Sequence, residues 1–272
     1  MLGKLLKYEL QAIQKKICPF YIAVFALAIF FSVVLNITYN TLEDLSEKPI
    51  VFFLFVFISY ALMIALSVVT IITIVNRFRK SLLGKEGYLM FTLPVSVNTH
   101  LVAKILSSAI LCICNSIVVG LSFWLILGTQ SELREFLFYG FSFEDIRYAL
   151  SQFSELVGFS VVHLIIVYLI GTIAYMAYFL LTIYFSLAVG HLSNKNKFVR
   201  AFLVYIGINI VLGTIVQIFA ISFILVAQNL TQQVILDRFL PSMYLICGVL
   251  ILLDAGFYFG TWAILRKKLN LE

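Results

Sequence analysis

Residues 50–75 read IVFFLFVFISYALMIALSVVTIITIV, an apolar run with no charged residue and no glycine or proline to end it. A helix needs about 20 such residues to cross the roughly 30 Å hydrocarbon core of a bilayer. A barrel strand would instead alternate apolar and polar side chains over about ten positions. The run is therefore read as a spanning helix, the form in which a single segment satisfies its own backbone groups in lipid. Working outward, five more runs of this kind lie at residues 17–37, 101–127, 161–189, 202–227 and 243–265. Composition agrees, with 62% hydrophobic residues, 12% charged residues and a mean hydropathy of +1.07, outside the range of soluble globular domains. The fold class expected is all-α, a polytopic membrane protein whose six transmembrane helices occupy residues 17–265.

The loops between these runs are sorted by charge. Lys4, Lys7, Lys15, Lys16, Arg77, Arg79, Lys80, Lys85, Lys104, Lys195, Lys197, Arg200, Arg266, Lys267 and Lys268 fall on one side, leaving Lys48, Arg134, Arg147 and Arg238 for the other. Positive residues mark the cytoplasmic side, so both termini are expected there, including a basic tail at residues 266–272. The net charge of +6 is explained by this asymmetry, and no nucleic-acid partner is expected. No cleavable signal peptide is expected, because the first run is too long and lacks a small-residue cleavage site. The four cysteines lie in or beside the spans and are read as small packing residues.

Two segments outside the spans are amphipathic. In residues 1–16, Leu2, Leu5, Leu6, Leu10 and Ile13 share one helical face opposite Lys4, Lys7 and Lys15, with Glu9 close to the apolar side. Such a helix is expected to lie in the headgroup region, its lysines toward anionic lipid. The outer loop at residues 128–160 carries a second one, with Ile146, Ala149, Leu150, Phe153, Leu156 and Val157 on a stripe. Ser142 and Asp145 have capping-box spacing at its start. Packing, a lid or a lateral gate would each use this segment.

Catalytic chemistry is not expected. Gly84-Lys85 has neither the upstream glycine nor the following hydroxyl of a phosphate-binding loop, and His100, His163 and His191 are scattered. Within the spans the one acidic residue is Asp254. An intramembrane carboxylate is costly unless it is paired or faces water; His163, Gln217, Asn209 and Asn115 are the polar candidates to meet it. Asp254, Asn209, Gln217, Tyr178 and Tyr258 are the candidate lining of a translocation path, and the tyrosines suit helix packing equally well. Proton-linked secondary transport centred on Asp254 is one function this allows. A non-transporting immunity or scaffold protein, binding through the outer loop, is another.

The basic side has one long polar insertion, RFRKSLLGKEGYLMFTLPVSVNTHLVAK at residues 77–104, of which residues 77–100 are the loop proper. A short helix is expected over residues 81–91, stopped by Pro94. Joined to two spans, it would pass a push from a soluble partner into the membrane. LGKLLKYEL at residues 2–10, LLGKEGYLMFTLPVS at residues 82–96 and the following L-x-x-K-I-L resemble the ABC-2 type permeases of Gram-positive bacteria. The resemblance implies a multi-pass exporter subunit of the bacterial plasma membrane that is not itself an enzyme. It implies no cofactor on this chain, with ATP and Mg2+ on a separate soluble ABC ATPase, and a second permease, identical or paralogous. It makes Glu86, Gly87, Tyr88, Leu89, Phe91, Thr92 and Pro94 the coupling positions and amphipathic peptides the first cargo class.

Overall fold

The computed structural model describes residues 2–41, 48–84, 96–128, 143–157, 160–193, 195–227 and 232–267. Among these residues every element is helical: α1 (Leu2–Thr41), α2 (Lys48–Phe78), α3 (Val97–Leu127), α4 (Phe143–Val157), α5 (Val161–Gly190), α6 (Lys197–Ala227) and α7 (Gln232–Lys267). Six of them, all but α4, are long and apolar enough to cross a membrane. The chain is a multi-pass membrane protein, as its apolar runs require. The outward apolar side chains of these helices, Phe57 and Leu252 among them, are the surface expected of a protein solvated by acyl chains rather than water.

The N-terminal segment differs from expectation. The amphipathic stretch and the first span form one helix of 40 residues with Pro19 inside it, about 60 Å at 1.5 Å per residue. No glycine or turn residue separates the two parts, and a proline is tolerated within a membrane helix. Its buried side chains run in one stripe, Glu9, Ile13, Ile17, Ala28 and Leu35, at steps of four, four, eleven and seven residues, which keep one face. The stripe of the N-terminal turns is continuous with that of the span, and it is covered by protein.

The helices group into two compact units, one of Met1–Arg77 and Leu106–Ile146, the other of Phe78–Ile105 and Arg147–Glu272. In the first, α1, α2 and α3 share a core of Ala28, Leu35, Met63 and Ile126, packed by Phe55, Val56 and Val119. A cavity lined by Val24, Ala28, Phe31, Ser59, Leu62, Met63 and Ile126 holds about 10 Å³, room for no more than a water molecule. Tyr21 and Ser32 of α1 donate to the carbonyls of Leu111 and Leu125 on α3, each at 3.3 Å.

In the second unit α5 packs against both α6 and α7. The half of α5 from Leu180 to Gly190 is almost wholly buried. The approach to α6 is close: a Cβ on Gly190 would lie 2.6 Å from the Cβ of Ala201 and 2.7 Å from its backbone. Gly260 of α7 does the same against the ring of Phe185, at 2.7 Å. Small residues of this kind let membrane helices approach where no hydrophobic force drives them together. The turn between α5 and α6 ends at Asn196, whose φ of 53° is one that asparagine tolerates better than most side chains.

Candidate functional site

The seven coupling positions Glu86, Gly87, Tyr88, Leu89, Phe91, Thr92 and Pro94 lie outside the described residues. The stems on either side of them are described. On the α2 side the helix does not stop at residue 81 to begin a new one. It tightens into a π-helical turn, Arg79–Leu83, in which Ser81, Leu82 and Leu83 are buried, and Gly84 is extended. Leu82 and Leu83 thus belong to the end of a spanning helix. On the α3 side Ser96 starts the helix: its carbonyl accepts from the Thr99 backbone N–H at 3.0 Å. Its hydroxyl accepts from the same N–H at 3.3 Å and shares a 2.8 Å hydrogen bond with the Thr99 hydroxyl. A serine in this position supplies partners to the free amides of a first turn.

Both stems group with the second unit, and each of that unit's long helices holds one of their side chains. Phe78 stacks on Tyr184 of α5, ring centroids 4.1 Å apart and planes at 11°. The Arg79 guanidinium stands 6.0 Å over the ring of Phe198 on α6, at the outer limit of a cation–π contact. The Tyr258 hydroxyl of α7 donates to Asn98 Oδ1. The Tyr184 hydroxyl also donates to the Lys104 carbonyl at 3.3 Å. Lys104, a basic flank by its position in the sequence, is only 3% exposed, and His100 one turn before it is 2% exposed.

The N-terminal helix reaches the same end of α2. Glu9 Oε2 accepts from Arg77 Nε at 2.9 Å, the carboxylate side chain 4% exposed and the guanidinium 27%. Its place near the apolar face is thereby explained: it is the buried half of an ion pair with the residue that opens the loop.

The second candidate group lies at mid-span in α5, α6 and α7. Tyr178 to Gly190, Lys197 to Asn209 and Asp254 to Arg266 are equal intervals of twelve residues measured from the basic ends of the three helices. Tyr178 and Asp254 lie about 18 Å from those ends, and Asn209 lies eight residues, about 12 Å, beyond the contact of Ala201 with Gly190. Tyr178 is within electrostatic reach of Asp254, Tyr175 and Tyr205. Asn209 donates to the Tyr205 carbonyl at 2.8 Å. Tyr178 packs edge-on against Phe257 at 6.1 Å and stacks on Tyr175 at 6.4 Å. One oxygen of Asp254, Oδ1, is enclosed and has no hydrogen-bond partner among the described residues.

Of the residues expected to line a path, Tyr178 and Asp254 are neighbours, and Asn209 bonds within its own helix. Gln217 is exposed two turns beyond Asn209, and Tyr258 is engaged at the loop stem. Two of the polar candidates to meet Asp254 have other partners. His163 Nδ1 shares a 2.8 Å hydrogen bond with Ser160 at the start of α5. Asn115 accepts from Thr70 at 3.0 Å and donates to Ser67 at 3.3 Å, both on α2. Tyr205 and Phe257 were not singled out from sequence; both are the kind of residue that fills any apolar run, and neither has a motif around it.

No family model, no characterised protein and no solved structure matches this chain.

Proposed function

We propose that the chain is the membrane-spanning permease subunit of an ATP-driven ABC exporter, coupled through the loop of residues 85–95 to a soluble ATPase. What supports this reading is the grip on the stems of that loop. Phe78, Arg79 and Asn98 are held by Tyr184, Phe198 and Tyr258, one residue on each of three spanning helices. A force applied to a loop held in this way reaches all three together. The α7 contact leads inward, since Tyr258 is one helical turn from Asp254.

In this reading Glu86, Gly87, Tyr88, Leu89, Phe91, Thr92 and Pro94 meet the ATPase on the cytoplasmic face of a bacterial plasma membrane. ATP and Mg2+ act on the partner, and the chain moves without chemistry of its own. The Glu9–Arg77 pair carries the same motion into α1. Six spans form half of the path; a second permease, a copy of this chain or a paralogue, completes it. The cargo is amphipathic, with peptides the first class to try.

The test is native co-purification from the source membrane through a C-terminal tag, with ATP hydrolysis assayed on the product. A stoichiometric soluble ATPase that is lost in Glu86→Arg/Gly87→Pro, with membrane insertion unchanged, is the expected result. Transport that survives this double substitution would overturn the proposal. A second reading, proton-linked transport, is favoured by the half-buried mid-span carboxylate of Asp254. Its distinguishing result is cargo movement driven by a pH gradient in liposomes of the chain alone, abolished in Asp254→Asn.

A further inference from the structure

We infer that the mid-span group of Asp254, Tyr175, Tyr178, Tyr205 and Phe257 is a binding site for an organic cation, an ammonium or guanidinium carried on an apolar body. The inference deepens the exporter reading by naming the charge of the cargo.

A carboxylate in the hydrocarbon region is retained only where something offsets the loss of water. Here the enclosed Oδ1 of Asp254 finds no hydrogen-bond donor among the described residues. Three cations of the surrounding helices are placed elsewhere. Arg266 of α7 is twelve residues away and stands 5.2 Å over the ring of Trp262. Arg200 of α6 lies nine residues before Asn209, in the first turn of its helix. His163 of α5 is bonded to Ser160, at the opposite end from Gly190. With Oδ1 unmet by any described donor, the compensating charge is assigned to a ligand.

The surroundings select an organic cation over a metal ion. A divalent metal takes six or more oxygen ligands or a set of nitrogen and sulfur ligands, and no group of three acidic, histidine or cysteine side chains gathers among the described residues. What gathers instead is aromatic. Tyr175, Tyr178 and Phe257 form a continuous series of ring contacts, and the negative faces of such rings attract ammonium and guanidinium groups. Together with one carboxylate they supply charge without a fixed coordination geometry. Tyr175 is 64% exposed, so the group is open on the α5 side, where the acyl chains of the bilayer would deliver an amphipathic molecule.

The probe is 4-phenylbutylammonium, an ammonium on an apolar body. 4-Phenylbutanesulfonate serves as an anion of similar shape. Equilibrium binding is measured on the purified full chain in discs of zwitterionic lipid. Saturable binding of the cation and none of the anion is expected. Asp254→Asn should weaken the cation by about tenfold or more, Tyr178→Leu should weaken it, and Tyr178→Phe should preserve it. No saturable cation binding, or equal affinity in Asp254→Asn, overturns the inference. Should Asp254→Asn not fold, equal affinity in the folded Tyr178→Leu and Tyr178→Phe proteins overturns it instead. The assay contains no ATPase, so failure of the exporter reading would show in the co-purification and leave this result standing.

Discussion

Asn115 and Asp254 are both polar side chains in the middle of apolar helices, and their surroundings differ in kind. Asn115 has its oxygen and its amide each occupied by a hydroxyl of the neighbouring helix. Ser67 in turn donates to the Met63 carbonyl of its own helix at 3.0 Å. Asp254 has an enclosed oxygen with no donor among the described residues. A satisfied polar group in lipid joins helices; one left without a partner is a cost that only a function repays. Polarity within a span therefore does not by itself separate a structural residue from a functional one. The partners decide, and substitution should sort such residues into two groups.

The largest effect on stability is expected where a satisfied group is charged. Glu9→Ala leaves the Arg77 guanidinium beside a buried face without its carboxylate. Breaking a buried pair costs about 3 kcal/mol or more, and the partial exposure of Arg77 reduces this to about 2 kcal/mol. Unfolding in mixed detergent micelles reads the loss. The exchanged pair Glu9→Arg/Arg77→Glu should recover more than half of it, and a cycle of the four proteins isolates the interaction. If Glu9→Ala unfolds like the parent, the two residues are neighbours without a bond between them.

A smaller effect is expected at Asn115. Asn115→Leu removes both contacts to α2, worth about 1 kcal/mol together in a membrane interior. The hydroxyls it leaves behind keep acceptors on their own helix, Thr70 on the Leu66 carbonyl at 2.9 Å and Ser67 on that of Met63. The cost is therefore limited to the lost bonds. A loss near that of Glu9→Ala would mean that Asn115 holds more of the first unit together than two hydrogen bonds.

The spans were legible because each is one uninterrupted apolar run, and the bilayer sets their length. The α4 helix was legible from its stripe: the structure forms it over Phe143–Val157, while Ser142 of its expected cap lies outside the described residues. The partners of polar residues were not legible. Glu9 reads as a flaw in an amphipathic pattern until Arg77, far along the chain, is seen beside it. The sign of the two charges and their place on one side of the membrane were the available signal. The hydrogen bond of Tyr258 to Asn98 could not be read from spacing. Spacing along a helix gives the level of a side chain, so Tyr178, Asn209 and Asp254 could have been ranked by depth from the sequence. It does not give the helix that each one faces.

The smallest effect on stability is expected at Asp254, and there the contrast with Asn115 is sharpest. Asp254→Asn exchanges a carboxylate for an amide of nearly the same shape. It removes a charge that no described residue of the chain offsets at Oδ1, so the loss from the missing side-chain oxygen is met by relief of desolvation. The free energy of unfolding should stay within about 0.5 kcal/mol of the parent or rise above it. Asn115→Leu run beside it gives the scale for a residue that does bond across helices. A loss at Asp254 as large as at Asn115 would show that the carboxylate has a structural donor, and the organic-cation site would lose its reason to exist. Unchanged stability with lost cation binding would separate the two residues: one serves the fold, and the other serves what passes through it.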